Sequence, residues 1–67
     1  MLPRWLQVKK NPKSWSLNYS VVLGYRGSAY ICSQHKTKRT ATQAAEKLVK
    51  KYKTAKAIHD VYLGWKS

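Results

Sequence analysis

Trp15-Ser16-Leu17-Asn18-Tyr19-Ser20-Val21-Val22-Leu23 carries the clearest periodicity in the chain. Trp15, Leu17, Tyr19, Val21 and Leu23 fall on one face, and Ser14, Ser16, Asn18 and Ser20 on the other, the period of two that marks a half-buried antiparallel strand. A strand over about 14–23 is therefore expected. Upstream, Leu6 and Val8 alternate with Trp5, Gln7 and Lys9, which predicts a short strand over about 4–10, and Asn11-Pro12-Lys13-Ser14 reads as the turn of a hairpin. Downstream, Gly24-Tyr25-Arg26-Gly27 supplies two glycines able to take positive φ, and a strand-like run resumes over about 28–35. Together these segments predict a three-stranded meander.

From Thr40 the period changes to that of a helix. Ala41, Ala44, Ala45, Leu48, Tyr52, Ala55, Ile58 or His59, and Tyr62 recur three or four residues apart with lysines between them. One helix over about 40–62 is the simplest account, with Thr37 or Thr40 as its N-cap and Gly64 as its C′ residue. Thr54 is the weakest interior position, so a break would fall near Lys53. The expected fold class is α+β: a three-stranded antiparallel sheet packed on one C-terminal α-helix, a single domain over residues 1–67. Trp15, Leu17, Tyr19, Val21, Ile31, Ala41, Ala45, Leu48 and Tyr52 are expected to form most of the core.

Composition bounds the function. A chain of 67 residues has material for one core, only marginally able to offset the entropy of ordering it. Fourteen Lys and Arg against two acids leave a net charge of +12. Such a charge repels itself in the compact state, and a polyanionic partner is its simplest explanation. Three Trp and five Tyr among 43% apolar residues exclude a disordered basic tail. The lone Cys32 has no internal disulfide partner, the N-terminal segment lacks the apolar stretch of a signal peptide, and no stretch approaches the roughly 20 apolar residues of a membrane span. A soluble intracellular protein, cytoplasmic or nucleoid-associated and without membrane association, is expected.

Catalysis is poorly supplied. Glu46, Asp60, His35, His59 and Cys32 do not form a set, and His59 and Asp60, neighbours on a helix, point about 100° apart. Cys32 and His35 lack the further ligands that zinc requires. No enzyme, cofactor or metal is expected. Nucleic-acid binding has two independent signs. In His35-Lys36-Thr37-Lys38-Arg39-Thr40, cations and hydroxyls crowd a helix N-terminus, where the helix dipole favours an anion, so Lys36, Lys38 and Arg39 are candidate phosphate contacts. The outward sheet face is expected to carry Trp5, Gln7, Lys9, Ser14, Ser16, Asn18, Ser20, Tyr30 and Gln34, polar groups with aromatics set among them, suited to base edges or sugars. Arg4, Lys13 and Arg26 complete the candidate contacts. Lys47, Lys50, Lys51, Lys53 and Lys56 wrap more than one side of the helix and supply long-range field.

Thr40-Ala41-Thr42-Gln43-Ala44-Ala45, following three short strands, resembles the DNA-binding domain of plant ethylene-response factors and the arm-type domains of tyrosine integrases, over roughly Arg4 to Tyr52. In that family three antiparallel strands lie in the major groove with a helix behind, so the resemblance implies that Trp5, Gln7, Lys9, Ser16 and Asn18 face duplex DNA. The run Thr37 to Ala45 is also similar to the start of the last helix in double-stranded RNA-binding domains. That family carries a helix ahead of its first strand, and only about ten residues precede Asn11, so duplex RNA ranks second. A third reading, from enrichment in Tyr, Trp and Arg, is a protein partner: an inhibitor that occupies the nucleic-acid groove of a DNA-handling protein. A role as accessory factor in recombination, genome packaging or viral takeover of a host would suit a module of this size.

Overall fold

The computed structural model describes residues 2–66. Its elements run β1 (Leu6–Lys10), β2 (Tyr19–Tyr25), β3 (Ser28–His35), α1 (Lys38–Tyr52) and α2 (Ala55–Lys66). The strands form an antiparallel sheet in the order β1-β2-β3, with Leu6 opposite Leu23, Val8 opposite Val21 and Lys10 opposite Tyr19. The α+β architecture is as expected, but two helices stand where one was predicted.

The helix break follows from capping chemistry. Lys53 takes a left-handed conformation (φ 66°, ψ −25°) and its N–H donates to the Val49 carbonyl at 2.8 Å, which closes α1. Thr54 opens α2, its hydroxyl accepting from the Ala57 N–H at 3.1 Å. A residue that is weak inside a helix is thus favoured as the cap of a second one. Gly64 lies within α2 and is not a terminator. At the other end, Thr37 caps α1 by accepting from the Thr40 N–H.

The two sheet connections differ in kind. Between β2 and β3, Arg26 (φ 51°) and Gly27 (φ 78°) are the two central residues of a tight turn with Tyr25 opposite Ser28. Positive φ at both central positions is the signature of a type I′ hairpin, whose twist matches the strands. Arg26, and not Gly24, is therefore the second left-handed residue. Gly24 is a strand residue hydrogen-bonded to the Trp5 carbonyl. Between β1 and β2, residues 11–18 form a loop and not the tight turn expected, so β2 begins at Tyr19. Asn11 organises it: its N–H donates to the Asn18 carbonyl, its Nδ2 to the Leu17 carbonyl, and its Oδ1 accepts from the buried Ser20 hydroxyl. Trp15 at 41% exposure and the half-buried Leu17 consequently lie outside the core predicted for them.

The core is Leu6, Val21, Leu23, Ala41, Ala45 and Ile58, all fully buried, with Leu48, Val49, Tyr52, Tyr19, Tyr25 and Tyr30 packed around it. Both helices cover one face of the sheet. Ala41 and Ala45 bring α1 close because they have little side chain to keep it away, and α2 inserts Ile58 and Tyr62. His59 lies between Tyr25 and Tyr30, with ring centroids at 4.6 and 4.9 Å, and Tyr30 continues to Tyr62 at 5.3 Å. Such ring pairs each add about 0.5–1.5 kcal/mol beyond the area they bury.

Two face assignments in β3 are corrected. The hairpin sets Tyr30 opposite Leu23 and Ile31 opposite Val22. Tyr30 therefore points under the helices, and Ile31 is 40% exposed on the open face. A β-bulge follows: Val21 pairs with Ser33 and Val22 with Ile31, leaving Cys32 as the extra residue. The bulge advances the phase by one, so Gln34, opposite Ser20, returns to the open face as expected.

Candidate nucleic-acid interface

The open face of the sheet is built from alternate residues of three strands: Gln7 and Lys9 from β1, Val22 and Gly24 from β2, and Ala29, Ile31 and Gln34 from β3. It is more apolar than the expected serine-lined surface. Ser20 shares this face yet is only 2% exposed, because the Asn11 side chain is bonded to it and the loop shields that end. Ser14 and Ser16 lie in the loop and not on the sheet. Gly24 and Ala29, directly paired, leave a shallow hollow of about 210 Å³ walled by Arg4, Trp5, Gln7, Lys9 and Val22. Here Trp5 is half-buried, and Gln7 and Lys9 are exposed.

A second concavity, about 390 Å³, lies on the other side of β1. Leu2, Pro3, Leu6 and Val8 give it apolar walls, while Arg4, Gln7, Lys38 and Thr42 bring polar groups to it. Arg4 and Gln7 border both hollows. The β1 edge thus joins the open face to the first turn of α1, and Arg4, Trp5, Gln7, Lys9 and Lys38 form one continuous surface.

The remaining candidates are dispersed. Asn18 ends the loop with its Nδ2 donating to the Lys36 carbonyl at 3.1 Å. That bond ties the loop to the β3–α1 connection and commits the amide that was expected to meet bases. Lys36 and Arg39 are exposed beside Lys38. Lys13 and Ser16 are exposed on the loop, and Arg26 sits at the hairpin tip with its guanidinium 5.5 Å from the Tyr25 ring centre. Tyr30 belongs to the aromatic stack on the covered face.

At the α1 N-terminus the hydroxyls expected to hold an anion are engaged with the helix itself. Thr37 and Thr40 share a hydrogen bond at 2.8 Å, and the Thr40 hydroxyl also reaches the Thr37 carbonyl at 3.0 Å. The first turn contains no acid, so the cations of Lys38 and Arg39 are its outward chemistry. Among the described residues the one ion pair joins Lys56 to Asp60 at 3.1 Å on the exposed side of α2. The other Lys and Arg side chains among the described residues have no ion-pair partner there.

Among the described residues no three His, Cys, Asp or Glu side chains come together as a metal set. His35 is bonded to the Ser33 hydroxyl at 2.8 Å, and His59 is held between the two tyrosines. Burial pushes the Cys32 thiol up from its ordinary value, against a smaller opposing effect of a hydrogen bond with the Leu23 backbone. No described helix is long and apolar enough to cross a membrane. The chain matches no protein-family model, curated protein sequence or solved structure.

Proposed function

We propose that this chain is a small basic protein that holds duplex nucleic acid, DNA in the first place, along the β1 edge of its sheet. The observation that carries the reading is the convergence of Arg4, Trp5, Gln7 and Lys9 with Lys38, distant in sequence, around two adjoining hollows. Cations there can meet phosphates, while Gln7, whose amide nitrogen gives one N–H to the Arg4 carbonyl at 3.3 Å and keeps its second N–H and its oxygen, joins the open strands in offering hydrogen bonds and apolar contact to base edges. The net charge of +12 draws any polyanion and supplies the sequence-independent part of the affinity. The same cations serve duplex RNA, whose wide minor groove presents phosphates and 2′-hydroxyls to shape-reading proteins.

The test is a titration of the full chain against duplex DNA, duplex RNA and single strands of matched sequence at several salt concentrations. Duplex DNA is expected to bind tightest, with affinity falling steeply as salt rises. Each of Lys36→Ala, Lys38→Ala and Arg39→Ala should weaken binding on all duplex sequences alike and lower the salt slope by about one unit or less. Gln7→Ala should leave the slope unchanged and narrow the gap between preferred and random sites by roughly 1–3 kcal/mol. Binding independent of salt would remove the phosphate contacts, and tighter binding of duplex RNA would replace DNA as the partner.

A further inference from the structure

The helix side of the molecule holds a third concavity, about 320 Å³, on the face away from the open sheet surface. Its two walls come from β3, an edge strand, and from α1. Cys32, Ser33 and His35 contribute from the strand, and Ala44, Lys47, Leu48 and Lys51 from the helix. Those helical positions are spaced three and four apart, so they form one ridge. It is a different ridge from Ala41 and Ala45, which are consumed by the core. Tyr52 and Trp65 complete the lining, and Trp65 is 52% exposed, as is its neighbour Leu63 at 51%.

This is an apolar trough with ammonium groups above it, and the two features together select an occupant. Ala44 and Leu48 offer no partner for a polar group, the Cys32 thiol already donates to the Tyr30 carbonyl, and the Ser33 hydroxyl and His35 ring are bonded to each other, so the floor accepts an aliphatic or aromatic side chain. Lys47 and Lys51 are exposed and have no acidic partner among the described residues, so they call for carboxylates. A second copy of the chain would bring another +12 to the contact and is opposed by charge. A nucleobase would have only the exposed Trp65 ring to stack on, and would lay its polar edges against Ala44 and Leu48, where no partner meets them. The Tyr52 ring already has the Lys51 ammonium at 5.4 Å from its centre. Continuous apolar floor with flanking cations is what an acidic amphipathic segment needs when it lays one face into a groove.

We propose that the groove between β3, α1 and the end of α2 docks an acidic segment of a protein partner, seating one bulky apolar side chain against Ala44 and Leu48 and placing carboxylates at Lys47 and Lys51. This site is separate from the β1 surface and does not depend on the nucleic-acid reading. One module could then hold a polyanion on one side and a protein on the other.

The experiment is a chemical-shift titration of the isotope-labelled full chain with synthetic peptides in which one Leu, Phe or Trp stands between glutamates. The expected result is shifts confined to Cys32, Ala44, Leu48, Tyr52 and Trp65. Affinity should drop about tenfold when the apolar residue is replaced by Ala, and again when the glutamates become glutamine. Ala44→Leu keeps charge and helix propensity while filling the floor, and should abolish those shifts with the rest of the spectrum preserved. Trp65→Ala, at an exposed position, should weaken binding several-fold. The proposal is overturned if none of the peptides shifts the groove residues, if Ala44→Leu leaves binding intact, or if a single-stranded oligothymidylate moves those resonances while the peptides do not.

Discussion

The two faces of this sheet are made by the same strands and do opposite work. On the covered face, Leu6, Val21 and Leu23 are fully buried under Ala41, Ala45 and Ile58, and rings from β2, β3 and α2 close the gaps. On the open face, Gln7, Lys9 and Ile31 meet solvent, and small residues at Gly24 and Ala29 leave a hollow. A single sheet layer cannot bury both sides, so its stability comes from one face and the other is left available for a partner. The contrast teaches where mutations should matter for folding and where for binding.

The largest expected effect is at Ile58, the side chain by which α2 enters the core. Ile58→Ala removes a fully buried branched side chain from a site held on several sides, which costs about 2–5 kcal/mol. For a domain of this size that is a large share of the total stability. Urea titration followed by circular dichroism should show the whole domain melting earlier in one transition. If β1 to β3 and α1 kept their midpoint while α2 alone unfolded, the covered face would be complete without α2.

Next is Asn11, which guards the shielded end of the open face. Asn11→Ala strips the Ser20 hydroxyl and the Leu17 carbonyl of their partners, and leaving such groups buried and unpaired costs about 1–3 kcal/mol. The same urea titration should register this loss, and Ser20→Ala should recover part of it by removing the orphaned hydroxyl. A neutral Asn11→Ala would mean that the loop can open without consequence for the sheet.

Gly27 comes third. Its φ of 78° lies where a side chain is strained, although nothing stands within 4 Å of a Cβ built there. Gly27→Ala should therefore cost about 1 kcal/mol through backbone strain alone. Thermal unfolding would measure it, and Arg26→Asn, which suits positive φ at the other turn position, should be neutral or slightly stabilising.

These positions also mark how far the sequence could be read. The strand–strand–strand–helix order follows from period, because Val21 and Leu23, then Ala41 and Ala45, recur at the spacings of strand and helix and are buried as that requires. Trp15 and Leu17 kept the same period of two but left the sheet, because an asparagine that could bond three groups at once favoured a loop over continued pairing. Alternation alone does not contain that competition. The second helix was legible at Thr54 only as a weakness; its capping role depends on Lys53 adopting a left-handed conformation, which few non-glycine residues do. Of the candidate surface, the exposure of the cations beside Thr37 and of Gln7 and Lys9 was legible from charge and period, whereas Trp5, expected to face outward, is half-buried and packs against the core. The meeting of these residues across the β1 edge was not legible, since it depends on how α1 crosses the sheet.

The smallest expected effect is also the most direct test of which face is which. Strict alternation through Tyr30, Cys32 and Gln34 puts all three on one side, and hydrophobicity puts Ile31 in the core. The hairpin register and the bulge at Cys32 instead turn Tyr30 under the helices and Ile31 outward. Ile31→Thr keeps a β-branched residue in a strand and removes a side chain that is 40% exposed, so it should alter stability by no more than about 0.5 kcal/mol. Tyr30→Thr removes a ring that contacts both His59 and Tyr62, and should cost several times as much. Measured by urea midpoint, that ordering supports the faces described. The reverse ordering, Ile31→Thr costly and Tyr30→Thr mild, would show β3 in the opposite phase, move the open surface onto Tyr30, and take with it the hollow beside Trp5 on which the nucleic-acid reading rests.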